Sequence, residues 1–156
     1  MPKMEVTVSN PALKTGHVAL NVTDLNRSIE FYEALFDFDV LARSDDDRAW
    51  ALLGNEGVLS IALWQQSDGQ FAAGLPGLHH LSFEVSSVDA VREAEKTLKG
   101  LGVEFAYDGI VAHGEGAPSG GVFFNDPDGV RLEIYTTTGV DGHSAPVAGA
   151  PTCGFF

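Results

Sequence analysis

Gly16-His17-Val18-Ala19-Leu20-Asn21-Val22 near the start of the chain and Leu78-His79-His80-Leu81-Ser82-Phe83-Glu84-Val85 past its middle are two copies of one pattern. His17 and His80 stand 63 positions apart, and the same separation carries Leu35 onto Leu98 and Val40 onto Val103 without a gap. Each copy alternates by twos, as a strand with one buried face does. Val18, Leu20 and Val22 share a face opposite His17, Ala19 and Asn21; Leu81, Phe83 and Val85 share one opposite His80, Ser82 and Glu84. The histidine falls on the less apolar face both times. Two related halves bring equivalent positions together about an internal axis, so the repeat directs one histidine from each half toward a shared cavity.

After each strand the period changes to that of a helix. Thr23 or Asp24 caps a helix carrying Leu25, Ile29, Tyr32 and Leu35; Ser86 or Ser87 caps one carrying Val88, Val91, Ala94 and Leu98, which ends at Gly100-Leu101-Gly102. Three strands follow each helix. In the first half they are Val40 to Arg43, Arg48 to Leu53 and Gly57 to Trp64, with turns at Ser44-Asp45-Asp46-Asp47 and Gly54-Asn55-Glu56. In the second half they are Val103 to Tyr107, Gly121 to Asn125 and Val130 to Thr136, the last two joined by the turn formers of Asn125 to Gly129. The fold class is therefore α+β, built of two βαβββ modules over residues 14–64 and 78–138 of one domain, 14–138. Gly57 and Gly129 stand 72 apart, so the second module carries nine extra residues, placed in the loop 108–118 as a lid or rim. Residues 1–13 read as an N-terminal arm. The Gly- and Pro-rich segment 139–156 reads as a tail whose Phe155 and Phe156 form an apolar plug or stay disordered.

Composition narrows the classes. With 22 acidic and 9 basic residues, a net charge of −13, the chain lacks the clustered cations that nucleic-acid phosphates require. It has no apolar run of membrane-span length and no signal-peptide pattern, which sets the expectation of a cytoplasmic protein with no membrane partner. The single cysteine, Cys153, cannot form an internal disulfide and reads as a passive thiol.

The last strand places Glu133 between Arg131 and Tyr135 on one face, with Leu132 and Ile134 on the other. A mid-strand carboxylate is expensive to bury without a partner or a metal. Glu133 together with His17 and His80 makes two imidazoles and one carboxylate, a set that binds a divalent metal and leaves positions open for substrate and water. Taken singly, each of the three also reads as an ordinary hydrogen-bonded residue, with Arg131 or Arg48 available to pair with Glu133. His79 alternates away from His80 and reads as structural. His113, in the inserted loop, is a candidate acid or base. Trp50, Trp64, Phe124 and Tyr135 are candidate walls for an apolar or aromatic substrate, and Arg48 is a candidate anchor for an anionic group, as is Arg131.

The two modules, the run Val22 to Tyr32 after Gly16-His17, then His80, then Asn125-Asp126-Pro127-Asp128-Gly129-Val130-Arg131-Leu132-Glu133, resemble the vicinal oxygen chelate superfamily. That group comprises glyoxalase I, extradiol dioxygenases, fosfomycin-resistance enzymes and bleomycin-resistance proteins. The resemblance implies a curved mixed sheet cupping a metal held by His17, His80 and Glu133, and a homodimer with the modules paired within one chain or swapped between chains. Glyoxalase I usually has a fourth ligand where this chain has Ile61. Extradiol enzymes tend to carry a tyrosine where Phe123 or Phe124 stands, and an acid/base histidine where Gln65 and Gln66 stand. The expected activity is that of a divalent-metal enzyme acting on a small molecule with vicinal oxygens. Because the donor set suits ferrous iron, extradiol-type ring cleavage is placed slightly ahead of lyase, isomerase or transferase chemistry. Fe2+ or Mn2+ is favoured, with Zn2+, Ni2+, Co2+ and Mg2+ as alternatives. The rival class is a metal-free drug- or metabolite-binding protein.

Overall fold

The computed structural model describes residues 12–154 and 156. Nearly all of the expected arm at 1–13, and Phe155, lie outside the described residues. In chain order the elements are β1 (Val18–Asn21), α1 (Leu25–Phe36), β2 (Asp39–Ser44), β3 (Trp50–Asn55), β4 (Val58–Trp64), β5 (Leu81–Glu84), α2 (Val88–Gly100), β6 (Val111–Ala112), β7 (Gly120–Asn125) and β8 (Arg131–Thr136). They form two four-stranded sheets in the orders β1-β4-β3-β2 and β5-β8-β7-β6, the same arrangement twice. In each, the first strand lies parallel to the last and the remaining pairs are antiparallel.

Local chemistry starts both helices where the sequence places the caps. The Asp24 side chain accepts from the Arg27 N–H, and Ser87 accepts from the Ala90 N–H. The apolar stripes of α1 and α2 face one core that draws on both modules, Leu25, Ile29 and Tyr32 meeting Val91, Leu98, Val122 and Phe124. Phe36 packs on Phe83 at 4.5 Å between ring centroids, and Phe31 on Phe124 at 6.4 Å.

The turn before β8 pins the modules together. Asp126 accepts the Tyr32 hydroxyl at 2.8 Å and the N–H groups of Asp128 and Val130; Asp128 accepts from Thr23 and from the Arg27 guanidinium. Burial pushes Tyr32 well above its ordinary pKa, and the Asp126 carboxylate adds to the shift.

Val103 to Tyr107 does not form the predicted strand. Phe105 makes one bridge to Phe124, the chain leaves the sheet near Asp108-Gly109, and pairing resumes as β6 inside the inserted loop. Gly120 permits that pairing, since a Cβ there would strike the Val111 carbonyl.

Candidate functional site

The site lies on the outer face of the second sheet. Parallel pairing sets Ser82 beside Glu133, and antiparallel pairing sets Phe123 on the other side of Glu133. His80, just before β5, comes to the same face, where it and Phe123 pack on one ring, that of Phe156. Glu133 is only 3% exposed. Its Oε1 accepts a short hydrogen bond from the Ser82 hydroxyl, while its Oε2 is buried with no hydrogen-bond partner.

His113 reaches this carboxylate from the inserted loop. Its N–H donates to the Ser119 carbonyl, and its Nδ1 lies 3.0 Å from the Ser119 hydroxyl. The ring rests against Tyr135 and Phe123, with centroids at 5.2 and 6.3 Å. Its Nε2 then falls 3.3 Å from Glu133 Oε2, yet both atoms are buried without a hydrogen bond. Burial holds the His80 pKa below its ordinary 6.5, outweighing the upward pull of Glu133. His80 is therefore neutral at neutral pH, the form in which imidazole binds a metal.

Thr152 and Phe156, from the segment after β8, cover this face. Thr152 donates from its backbone to the His113 carbonyl and from its hydroxyl to the Ala112 carbonyl, and its own carbonyl accepts the Tyr107 hydroxyl. Phe156 then packs on Phe123, His80, His79 and Tyr107. Burial, and then the Glu133 carboxylate, push the Cys153 thiol up, which suits a passive thiol.

His17 is exposed and lines a separate cleft of about 380 Å³, whose other wall includes Leu81, Ser82 and Phe83. One chain does not bring it to His80 and Glu133: among the described residues no three His, Cys, Asp or Glu side chains converge as a metal-holding group. Tyr135 stands at the site and donates to Glu84. Trp50 and Trp64 are cross-strand neighbours, 6.0 Å apart, on the outer face of the first sheet, and Arg48 is exposed between β2 and β3. The expectation for Phe124 is corrected, because it packs on Phe31 in the core, on the sheet face opposite Glu133, whereas its neighbour Phe123 pairs with Glu133 and forms the site wall. The expectation for His79 is also corrected. It precedes β5, so strand alternation does not govern it, and it sits 2.9 Å from His80 and 3.2 Å from the Arg131 guanidinium. Phe123 was legible in the sequence through its register with Glu133. Ser82 and Ser119 carried no signal, because their roles depend on which strand and loop lie beside them.

Over residues 14–134 the chain matches the glyoxalase/bleomycin resistance protein/dioxygenase superfamily. It belongs to that superfamily. A curated relative, a trivalent organoarsenical cleaving enzyme from Bacillus sp. strain MD1, is 32% identical over 143 residues, 90% of this chain and 83% of the relative. The metallothiol transferase FosB of Bacillus licheniformis is 29% identical over 128 residues, 82% of this chain and 78% of the relative. A glyoxylase/bleomycin resistance protein/dioxygenase domain from Frankia sp. EAN1pec superposes with a TM-score of 0.68 at 28% identity, covering 85% of this chain and 96% of that one. These curated relatives of the superfamily member are enzymes. No helix among its described residues is long and apolar enough to cross a membrane.

Proposed function

We propose that this superfamily member is a divalent-metal enzyme that takes a small molecule through two adjacent oxygens and cleaves or transfers a group on it. The observation that carries the reading is the Glu133 carboxylate, buried on the outer sheet face with one oxygen that has no hydrogen-bond partner and only the His113 imidazole, at 3.3 Å, beside it. A buried carboxylate without a cation is costly, and a metal is the cation that neutral imidazole and carboxylate donors suit. His80 and Glu133 would hold it, and His17 would complete the set from the first sheet of a second copy in a homodimer. Fe2+ or Mn2+ is the expected ion. The resemblance to a metallothiol transferase supports a metal-dependent activity. When bound, the metal would polarise the chelating oxygens and stabilise the charge that develops on them. The chain itself contributes Arg131 at the rim, as an anchor for anionic character, and walls that exclude water: Phe123, Tyr107 and Tyr135.

A second reading, extradiol-type ring cleavage, is favoured by His113, which places an imidazole nitrogen beside Glu133 and gives the site an acid or base. The lone Cys153 leaves the chain short of the paired thiolates that a soft trivalent arsenic centre prefers.

The test is metal content by elemental analysis after anaerobic loading with Fe2+ or Mn2+ and exhaustive dialysis. The parent is expected to keep about one equivalent per chain and Glu133→Ala to lose it. A parent that keeps none would sink the enzyme reading and leave a metabolite-binding protein in its place.

A further inference from the structure

A side chain of the protein already occupies the space in front of His80. The Phe156 ring meets Phe123 at 4.9 Å, His80 at 5.5 Å and Tyr107 at 6.5 Å between centroids, with interplanar angles of 74°, 65° and 48°. The first two are edge-to-face, the arrangement that ring quadrupoles favour, and the third is tilted. The Arg131 guanidinium carbon lies 6.0 Å from the centre of the same ring, at the limit of a cation–π contact. The ring is thus bounded by two aromatic walls, an imidazole and a cation. Beside it stands a carboxylate whose second oxygen has no hydrogen-bond partner.

Phe156 is held here by ring contacts rather than by a hydrogen bond to any described residue. The anchor of its segment is Thr152, which is fully buried and bonded to His113, Ala112 and Tyr107, four residues earlier. Between them lie Cys153, half-buried, Gly154, exposed, and Phe155, which is outside the described residues. The ring can therefore leave while Thr152 stays anchored, and what it vacates has the shape and chemistry of a site for one planar ring.

We infer that the space between Phe123, Tyr107, His80 and Arg131 is a binding subsite for a planar aromatic ring, and that Phe156 fills it until a ligand displaces it. This rests on the same site as the proposed function and specifies the class of molecule it takes, a ring bearing the adjacent oxygens. Phe156 is then an internal competitor. Apparent affinity falls by the fraction of chains in which the subsite is open, so a ring docked about nine-tenths of the time weakens ligand binding about tenfold.

The probe is 4-nitrocatechol, followed by its visible absorbance, titrated into the full chain and into Phe156→Ala, each with and without Mn2+. Phe156→Ala is expected to bind the probe about tenfold more tightly than the parent, and in the parent the probe is expected to shift the Gly154 amide resonance. Adding Arg131→Met to Phe156→Ala is expected to weaken the probe again. Equal or weaker binding by Phe156→Ala overturns the inference, as does no binding by either protein. Metal content measured on the same samples separates the two claims. Tighter probe binding in Phe156→Ala without retained metal keeps the ring subsite and sinks the metal-enzyme reading. Retained metal with no gain in probe affinity does the reverse.

Discussion

Asp126 and Tyr32 show how much one buried pair can weigh. The Tyr32 hydroxyl has the Asp126 carboxylate as its partner, and Tyr32 is fully buried. Tyr32→Phe keeps the ring and strands one buried carboxylate oxygen, so a loss of about 1–3 kcal/mol in urea unfolding is expected. Burial also raises the Asp126 pKa above its ordinary 3.8, against the hydrogen bonds from Tyr32, Val130 and Asp128 that lower it. The folded chain therefore holds that proton more tightly than the unfolded one. The contribution of Asp126 to stability is complete below its ordinary value and is lost as pH rises through its folded value. Asp126→Asn, which keeps an acceptor for the two N–H groups, is expected to gain on the parent in unfolding experiments run from about pH 4 to about pH 7. An unchanged difference across that range would remove Asp126 as the source.

At the scale of elements, α2 and the turn 125–129 do different work. Leu98 is fully buried on the inner stripe of α2, and Leu98→Ala should cost about 2–5 kcal/mol through the cavity it leaves. Ser87→Ala, which removes the cap, should cost about 1 kcal/mol. Thermal unfolding of the two variants checks both the order and the gap. Both helices were legible in the sequence, because capping and a 3.6-residue stripe are local properties. The strand predicted at Val103 to Tyr107 was not. Whether that segment joins the sheet depends on what β7 offers it, and β7 offers pairing at Gly120 and Gly121, nearer the end of the inserted loop. The turn chemistry of Asn125 to Gly129 was equally readable, but its attachment to Tyr32, Thr23 and Arg27 of the first module was not.

Across the whole molecule the two sheets are treated unequally. The outer face of the second is covered by Thr152 and Phe156 of the segment after β8, whereas the first presents Trp50 and Trp64, both half-buried, with Leu41 of β2 and Val58 of β4 also exposed. If a second copy covers that face, Trp50→Glu is expected to shift the protein from dimer to monomer in sedimentation velocity. The same change should weaken metal retention, since His17 would no longer be delivered to His80 and Glu133. A dimer that persists with metal loss unchanged would place the interface elsewhere.

The repeat fixed the largest features by itself. Two strand-helix units with histidines at matching positions specify two matching sheets, because period and capping act over a few residues, and the 63-residue separation carries one solution to the other. The face of Glu133 followed from alternation alone. What surrounds that carboxylate was decided only in the folded chain. Ser82 reaches it by strand pairing across 51 positions, His113 by the path of an inserted loop, and Phe156 by a segment anchored at Thr152. The fate of His17 belongs to the same class. Alternation gives the face on which a histidine stands, but only the packing of one module on the other decides what that face meets, and within one chain it meets a cleft rather than Glu133.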